Sequence, residues 1–591
     1  MAVRSLKARL TADLLLTVLS ALSCLCQAQE PSASLKQADA DYRAGVAALS
    51  RNDLNAALAD FEKVVHLAPT AEQGHSALGA VLMRLGRTGE AIRELKKALA
   101  IRAGDSDAQL NLALAYEKSG EGAQALPWFA KLETASHAEK RALPTYVLVS
   151  YARALAAVQQ YPAAVVRMKE SIARDPSNAD LHDELGSIYA QNRDWPNAKQ
   201  AFITALQLNP NLAMAHMHLG ITLQSEREPG ALDELTKAYQ LAPQNAMVAL
   251  QLGEALVGAE QDESAIPVFE HALELDPNLT AAAYQLGLAL QRMNRLQDAI
   301  PLFQKAAAAD PKNAEILSNL GMALCQAQQS KDAVPILQRA VALAPDNATA
   351  HQDLAAAYIQ LNQFDDAVSQ LREALKLSPN TSSLHYNLGL VFKMQDDATD
   401  AIPELEMAGK LDPAAPEPPY VLGVLYLQAG RYADADQELN ASLKLRPENG
   451  DGWATLGSVY NHLDKLPEAV SALKEAIRQL PQQPDPHLTL AAVLVKQNQI
   501  AEATAERKQA AALMRLGMNR QRAEVASNSG NSLLKGDKVA DAIVEFRNAL
   551  SYDPNYAEAH SGLAKALEQQ GKIAEAAAER QKAEALEKAS K

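Results

Sequence analysis

Apolar residues recur along most of the chain with a helical period, and in places they surround the helix. In Ala282-Ala283-Tyr284-Gln285-Leu286-Gly287-Leu288-Ala289-Leu290 hardly any polar side is left, as expected for a helix contacted from several directions. Proline, most often after Asp or Ala, closes successive segments at Pro176, Pro210, Pro243, Pro277, Pro311, Pro345, Pro379, Pro413, Pro447 and Pro481. Every interval between them is 34 residues except one of 33. Extended both ways, this frame predicts sixteen units, each a helix, a short turn, a second helix and a turn into the next unit. Three units fill 38–139, eleven fill 145–517 and two fill 523–590, with five-residue inserts at 140–144 and 518–522.

Small side chains mark the crossing of the two helices. The eighth position of all sixteen units is Gly or Ala, as at Gly45, Gly253, Ala355 and Ala564, and the twentieth is Ala in fifteen. Two antiparallel helices approach to the short end of ~8–10 Å only where bulk is missing at the contact. Pro127, Pro267, Pro301, Pro335 and Pro403 fall near the start of second helices, where a missing N–H costs little.

Gly at eight, Ala at twenty, Ala at twenty-seven (Ala98, Ala205, Ala272, Ala306, Ala340, Ala374) and Pro at thirty-two resemble the tetratricopeptide repeat (TPR) pattern over 38–590. The resemblance implies an all-α fold, an α-solenoid in which antiparallel helix pairs stack into a right-handed superhelix. It also implies that positions two, five, six, nine and twelve of the first helices line a concave groove. Those places hold Met214, Met217, His218 and Ile221, then Met247, Leu250, Gln251 and Glu254, then Tyr284, Gln285 and Leu288. Further on come Glu315, Ser318, Asn319 and Met322, and later Tyr386 and Asn387. This wall is expected to hold extended or helical segments of partner proteins, since methionine adapts its shape and side-chain amides bond a peptide backbone. Position five carries no Lys in any unit, so the carboxylate clamp of certain TPR chaperone adaptors is not carried over. One unit has no means of burying both its faces, so neighbours must complete the core and the ends need polar caps. The segment from Ile573 onward, with Glu575, Glu579, Arg580, Lys582, Glu584, Glu587 and Lys588, suits a cap.

Charge and composition narrow the partners. A net charge of -15 lacks the basic footprint of a general nucleic-acid binder, so no nucleic-acid partner is expected. Residues 1–28 carry Arg4, Lys7 and Arg9, then a 12-residue apolar run from Leu14 to Leu25, then Cys26-Gln27-Ala28. That is the layout of a secretory signal peptide, and the run is too short to span ~30 Å of hydrocarbon. Ala28 suits plain cleavage; Ala21-Leu22-Ser23-Cys24 is a looser match to a lipoprotein site. The expected product has a 29–37 linker, no membrane span, and a periplasmic or secreted location. Cys325 is then the one cysteine left, which excludes an intramolecular disulfide and thiolate zinc sites.

Repeats account for all but a few short segments, and the motifs HExxH, GxSxG, Walker A and the EF-hand loop are absent. No catalytic residue, metal site or cofactor is expected. His75, His182, His216, His351, His385, His487 and His560 all take the fourth position, which reads as a repeated packing place, an aromatic-like filler between helices. Cys325 reads as a small buried hydrophobe. The expectation is a non-catalytic scaffold that organises an envelope or secretion assembly. The alternative is an accessory subunit of a glycan synthesis or export machine. It is disfavoured by the wide separation of Trp128, Trp195 and Trp453.

Overall fold

The computed structural model describes residues 33–589, and every regular element among them is an α-helix. Two compact units divide the chain after Ala309. The N-terminal unit is a row of eight antiparallel hairpins, and the C-terminal unit continues the same alternation from Ala314 to Ala589. Each is an all-α solenoid. The leader expected at 1–28 lies outside the described residues.

Unit 7 shows how the sequence builds a hairpin. Asn245 starts the first helix, Ala246–Gly258, by accepting from the backbone N–H groups of Met247 and Val248, which satisfies donors that lack an intrahelical acceptor. Glu260 ends it at φ 59°, and the second helix, Asp262–Leu275, runs back along the first. Every hairpin reverses on one left-handed residue at its fifteenth position, from Asn52 through Gln328 and Asn362 to Gly571. Only Gly86, Gly120, Gly430 and Gly571 meet it with glycine, so no single residue type marks the turn in the sequence.

The eighth position is small for a more specific reason than mutual closeness. A Cβ on Gly253 would lie 2.4 Å from the Phe269 ring, and one on Gly321 would lie 2.4 Å from Leu337. The glycine makes room for a large side chain at position twenty-four of the same hairpin. Phe61, Phe129, Phe202, Phe269, Phe303 and Phe546 occupy that place fully buried, and they anchor the hairpin cores.

Two boundaries, at the first helix and at 518–522, differ from the sequence expectation. The first helix begins at Ala33, inside the expected 29–37 linker. The insert at 140–144 is a non-helical link, as its Pro144 and the left-handed Lys140 require. The insert at 518–522 is no link: the second helix of unit 14 and the first of unit 15 are one 36-residue helix, Ile500–Lys535. Arg515 stands where other units carry the closing Pro, and the stretch Ala511 to Arg522 is built mostly of helix formers, with Gly517 and Asn519 the poor residues. With no stop signal, the helix continues.

Candidate functional site

In the N-terminal unit the expected wall residues come from the first helices of units 6, 7 and 8. Met217 and Leu250 are corrections: they are 5% and 3% exposed, because position five there turns into the seam between neighbouring first helices. They fill core and offer nothing to a ligand. Met214, Ile221, Gln251, Tyr284, Gln285 and Leu288 are half-buried, and Met247 is exposed. His218 is half-buried but already engaged, its Nδ1 lying 2.9 Å from the Asp183 carboxylate and its ring 5.5 Å from that of Phe202. Gln251 donates to Glu254 at 2.9 Å. Tyr284 packs its ring edge-on to Phe303. Gln285, by contrast, has neither its amide N–H nor its carbonyl hydrogen-bonded among the described residues.

Acidic groups share this wall: Glu254, already expected there, and Glu117 and Asp107, which the sequence reading did not name. Burial pushes the Glu254 carboxyl up, only partly offset by the Gln251 hydrogen bond. Burial does the same to Glu117, and to Asp107 with help from the neighbouring Asp105 charge. Arg153, one unit beyond Glu117, is clamped by both oxygens of Glu184 in the next first helix. The Arg153–Glu184 pair joins successive first helices. The signal of these acidic groups in the sequence was a carboxylate at an inward position, which means little until the neighbouring helix is placed.

The C-terminal unit repeats the arrangement with different chemistry. Asn319, Met322, Tyr386 and Asn387 are half-buried on the first helices of units 9 and 11. Asn319 donates back to the Glu315 carbonyl at 3.1 Å. Burial, followed by the Glu417 charge, raises the Tyr386 phenol. Asn387, like Gln285 at position six, has an unspent amide. Between them in the chain, Asp353 at position six of unit 10 is 9% exposed. Burial pushes its carboxyl up to about 7 against a hydrogen bond from Ser318. Cys325 is 2% exposed, and burial together with Asp353 raises its thiol in spite of Ser330. A buried thiol of that kind is a poor nucleophile.

The fourth-position histidines are polar clasps and not apolar fillers. In His75, His216, His385 and His560 one ring nitrogen meets the carbonyl of the proline six residues earlier, at 2.9–3.0 Å. The other nitrogen meets a carboxylate on the second helix of the same hairpin, Glu94, Glu234, Glu404 or Glu579, at 2.5–2.7 Å. Both partners are acceptors, so the pair of bonds is complete when each ring nitrogen donates. Trp453 and Gln109 take the same position and donate to the carbonyls of Pro447 and Ala103. The conserved element of this device within the chain is a donor that pins the inter-unit turn to the first helix. These histidines are spread one per unit, and the described residues contain no group of three or more His, Cys, Asp or Glu placed to hold a metal ion. Nor is any described helix long and apolar enough to cross a membrane.

A row of helix hairpins with a half-buried, chemically mixed wall is the architecture of a repeat scaffold. Tetratricopeptide-repeat family models match at 82–141, 151–213, 184–246, 248–279 and 279–346, and a TPR repeat model matches at 530–588. The model of the cilia and flagella-associated protein 70 C-terminal domain matches 313–528. The chain is a tetratricopeptide repeat protein. Among solved structures it is similar to YrrB, a TPR protein with an unusual peptide-binding site, at 25% identity over 33% of this chain and 97% of that one, with a TM-score of 0.29. It is similar to MamA from Desulfovibrio magneticus RS-1 at 24% identity over 29% and 96%, with a TM-score of 0.28. It is also similar to the Cut9–Hcn1 hetero-tetramer of APC/C at 16% identity over 85% and 98%, with a TM-score of 0.33. No curated protein sequence matches it. The TPR fold is typically a non-catalytic platform for protein–protein interaction.

Proposed function

We propose that the chain is a non-catalytic scaffold whose first-helix walls hold peptide segments of partner proteins. We also propose that it does so outside the cytoplasm, in an envelope or secretion assembly reached through the leader at 1–28. One observation carries the binding reading: Gln285 and Asn387, at position six of their units, keep half-buried amides unspent. An amide offers two donors and an acceptor, the set an extended backbone needs, and neither amide is among the buried polar groups left without a partner, so both are open to solvent that a ligand would replace. Met214, Met247, Ile221 and Leu288 on the N-terminal wall and Met322 on the C-terminal one supply apolar contact of adaptable shape.

The test is a photoreactive residue placed at Gln285 or Asn387, with Val166, 58% exposed on a second helix, as the control. Crosslinks to a partner protein from either wall position and none from the control are expected. Crosslinks from the control alone, or from no position, would refute wall binding. Export is tested separately by fusing residues 1–28 to a reporter enzyme that is active only outside the cytoplasm; an inactive fusion would refute it.

A further inference from the structure

The long helix Ile500–Lys535 leaves a face uncovered that no regular unit exposes. Its buried residues change sides along its length: Ala503, Ala510 and Leu513 belong to the unit 14 packing, and Ala523, Ala526, Ser527 and Gly530 to the unit 15 packing. At 3.6 residues per turn the two sets point roughly 140° apart. Beside the first set runs a line of exposed positions, Ala511, Met514, Met518, Gln521 and Val525. Met514, Met518 and Val525 are 40%, 54% and 65% exposed. Their spacing alternates three and four residues, the heptad spacing of a two-helix seam, and it covers about four turns or ~21 Å. In other units the places of Met514 to Gly517 belong to a proline-marked turn, and Met518 falls in the insert.

The charges beside the seam repeat with it. Lys508, Arg515 and Arg522 are spaced by seven residues; Arg515 and Arg522 each follow the second seam residue of a heptad, after Met514 and Gln521, and Lys508 continues the same line one heptad before the seam. From Arg507 to Ala523 there are five basic residues and no acidic one, in a chain of net charge -15. Lys508 and Arg515 have no ion pair among the described residues, and Arg522 lies over the Tyr552 ring. Flanking charges choose the partner of a heptad seam.

We propose that this face docks a helix of another protein that carries an apolar heptad seam flanked by acidic residues. A second copy of this chain fits worse in either direction. Paired antiparallel, the basic flanks would face each other; paired parallel, Arg515 and Arg522 would face Ala510 and Gly517, which offer no counter-charge. The proposal uses none of the wall residues, so it stands or falls apart from the peptide-binding reading.

The test uses the full chain and two designed helical peptides of about four heptads, with Leu along the seam and either Glu or Lys at the flanks, read by fluorescence anisotropy. The Glu peptide binds and the Lys peptide does not. Met518→Glu weakens binding about tenfold or more, and Arg515→Glu with Arg522→Glu transfers the preference to the Lys peptide. Unchanged circular dichroism shows that the variants keep their fold, and charge reversal reports on docking even where an apolar substitution disturbs packing. Equal binding of both peptides, or binding indifferent to all these substitutions, overturns the proposal. So does a dimer in sedimentation that Met518→Glu abolishes, or binding to phosphatidylglycerol vesicles without binding to the Glu peptide.

Discussion

Asp353 is a carboxylate kept in a place that favours its neutral form. Its unfolded value is ~3.9, whereas burial raises it to about 7 in the folded chain. Between those values the folded state holds a proton that the unfolded state has released, so this residue subtracts stability as pH rises from about 4 to 7. Asp353→Asn should therefore raise the unfolding free energy from denaturant titration at pH 8, by about 2–4 kcal/mol, and change little at pH 4. An equal effect at both would show that the carboxyl is not held neutral. Glu94 and Glu579 run the other way: burial opposes their ionisation, but hydrogen bonds from Lys97 and His75, and from Lys582 and His560, prevail and hold both below the usual range. Their contribution is present above the ordinary carboxylate pKa and is lost as pH falls through the lowered values. In an acid titration read by circular dichroism, Glu94→Gln should lose the part of the transition that lies below that range. At the turns, Glu260 holds φ 59°, which costs an L side chain ~1 kcal/mol; Glu260→Gly should raise the unfolding free energy by up to about that much.

The hairpin is the element that the sequence describes best, and its limits show why. Gly253 and Ala265 announced a close crossing, yet the ring that needs the space, Phe269, was visible only once the two helices lay side by side. Phe269 is fully buried, so Phe269→Ala should cost about 3–5 kcal/mol, with Gly253→Val destabilising from the opposite side of the same contact. The fused helix is a clearer case. A five-residue departure from a 34-residue frame looks like a linker in sequence, and only the missing stop at Arg515 argues otherwise. Asn519→Pro should cost about 3 kcal/mol or more and reduce helicity, whereas a linker would accept it without change in the circular dichroism signal.

At the scale of the molecule, helices contact their sequence neighbours and few others, so stability is local along the row. Hydrogen exchange on Phe269→Ala should accelerate in the hairpins around Asp262–Leu275 and leave Ala557–Gln569 near its original protection. Uniform acceleration across both compact units would show a single cooperative body instead. The same locality bears on the binding walls: Asp183 with His218, and Arg153 with Glu184, tie adjacent first helices together, so a ligand lying along the wall meets a surface already partly ordered.

The repeat period, the all-α class and the family were legible in the sequence, because a 34-residue periodicity records packing that every unit shares. Which inward positions are spent was not. Met214 and Met217 sit on one helix, and their different exposure depends on the neighbouring helix. The histidines likewise looked like fillers because their partners, a proline carbonyl and a carboxylate 18 or 19 residues on, are joined by the hairpin fold. Periodicity reports which face of a helix is inward; only the placed neighbour decides whether a side chain on that face is buried, bonded or left open to a partner.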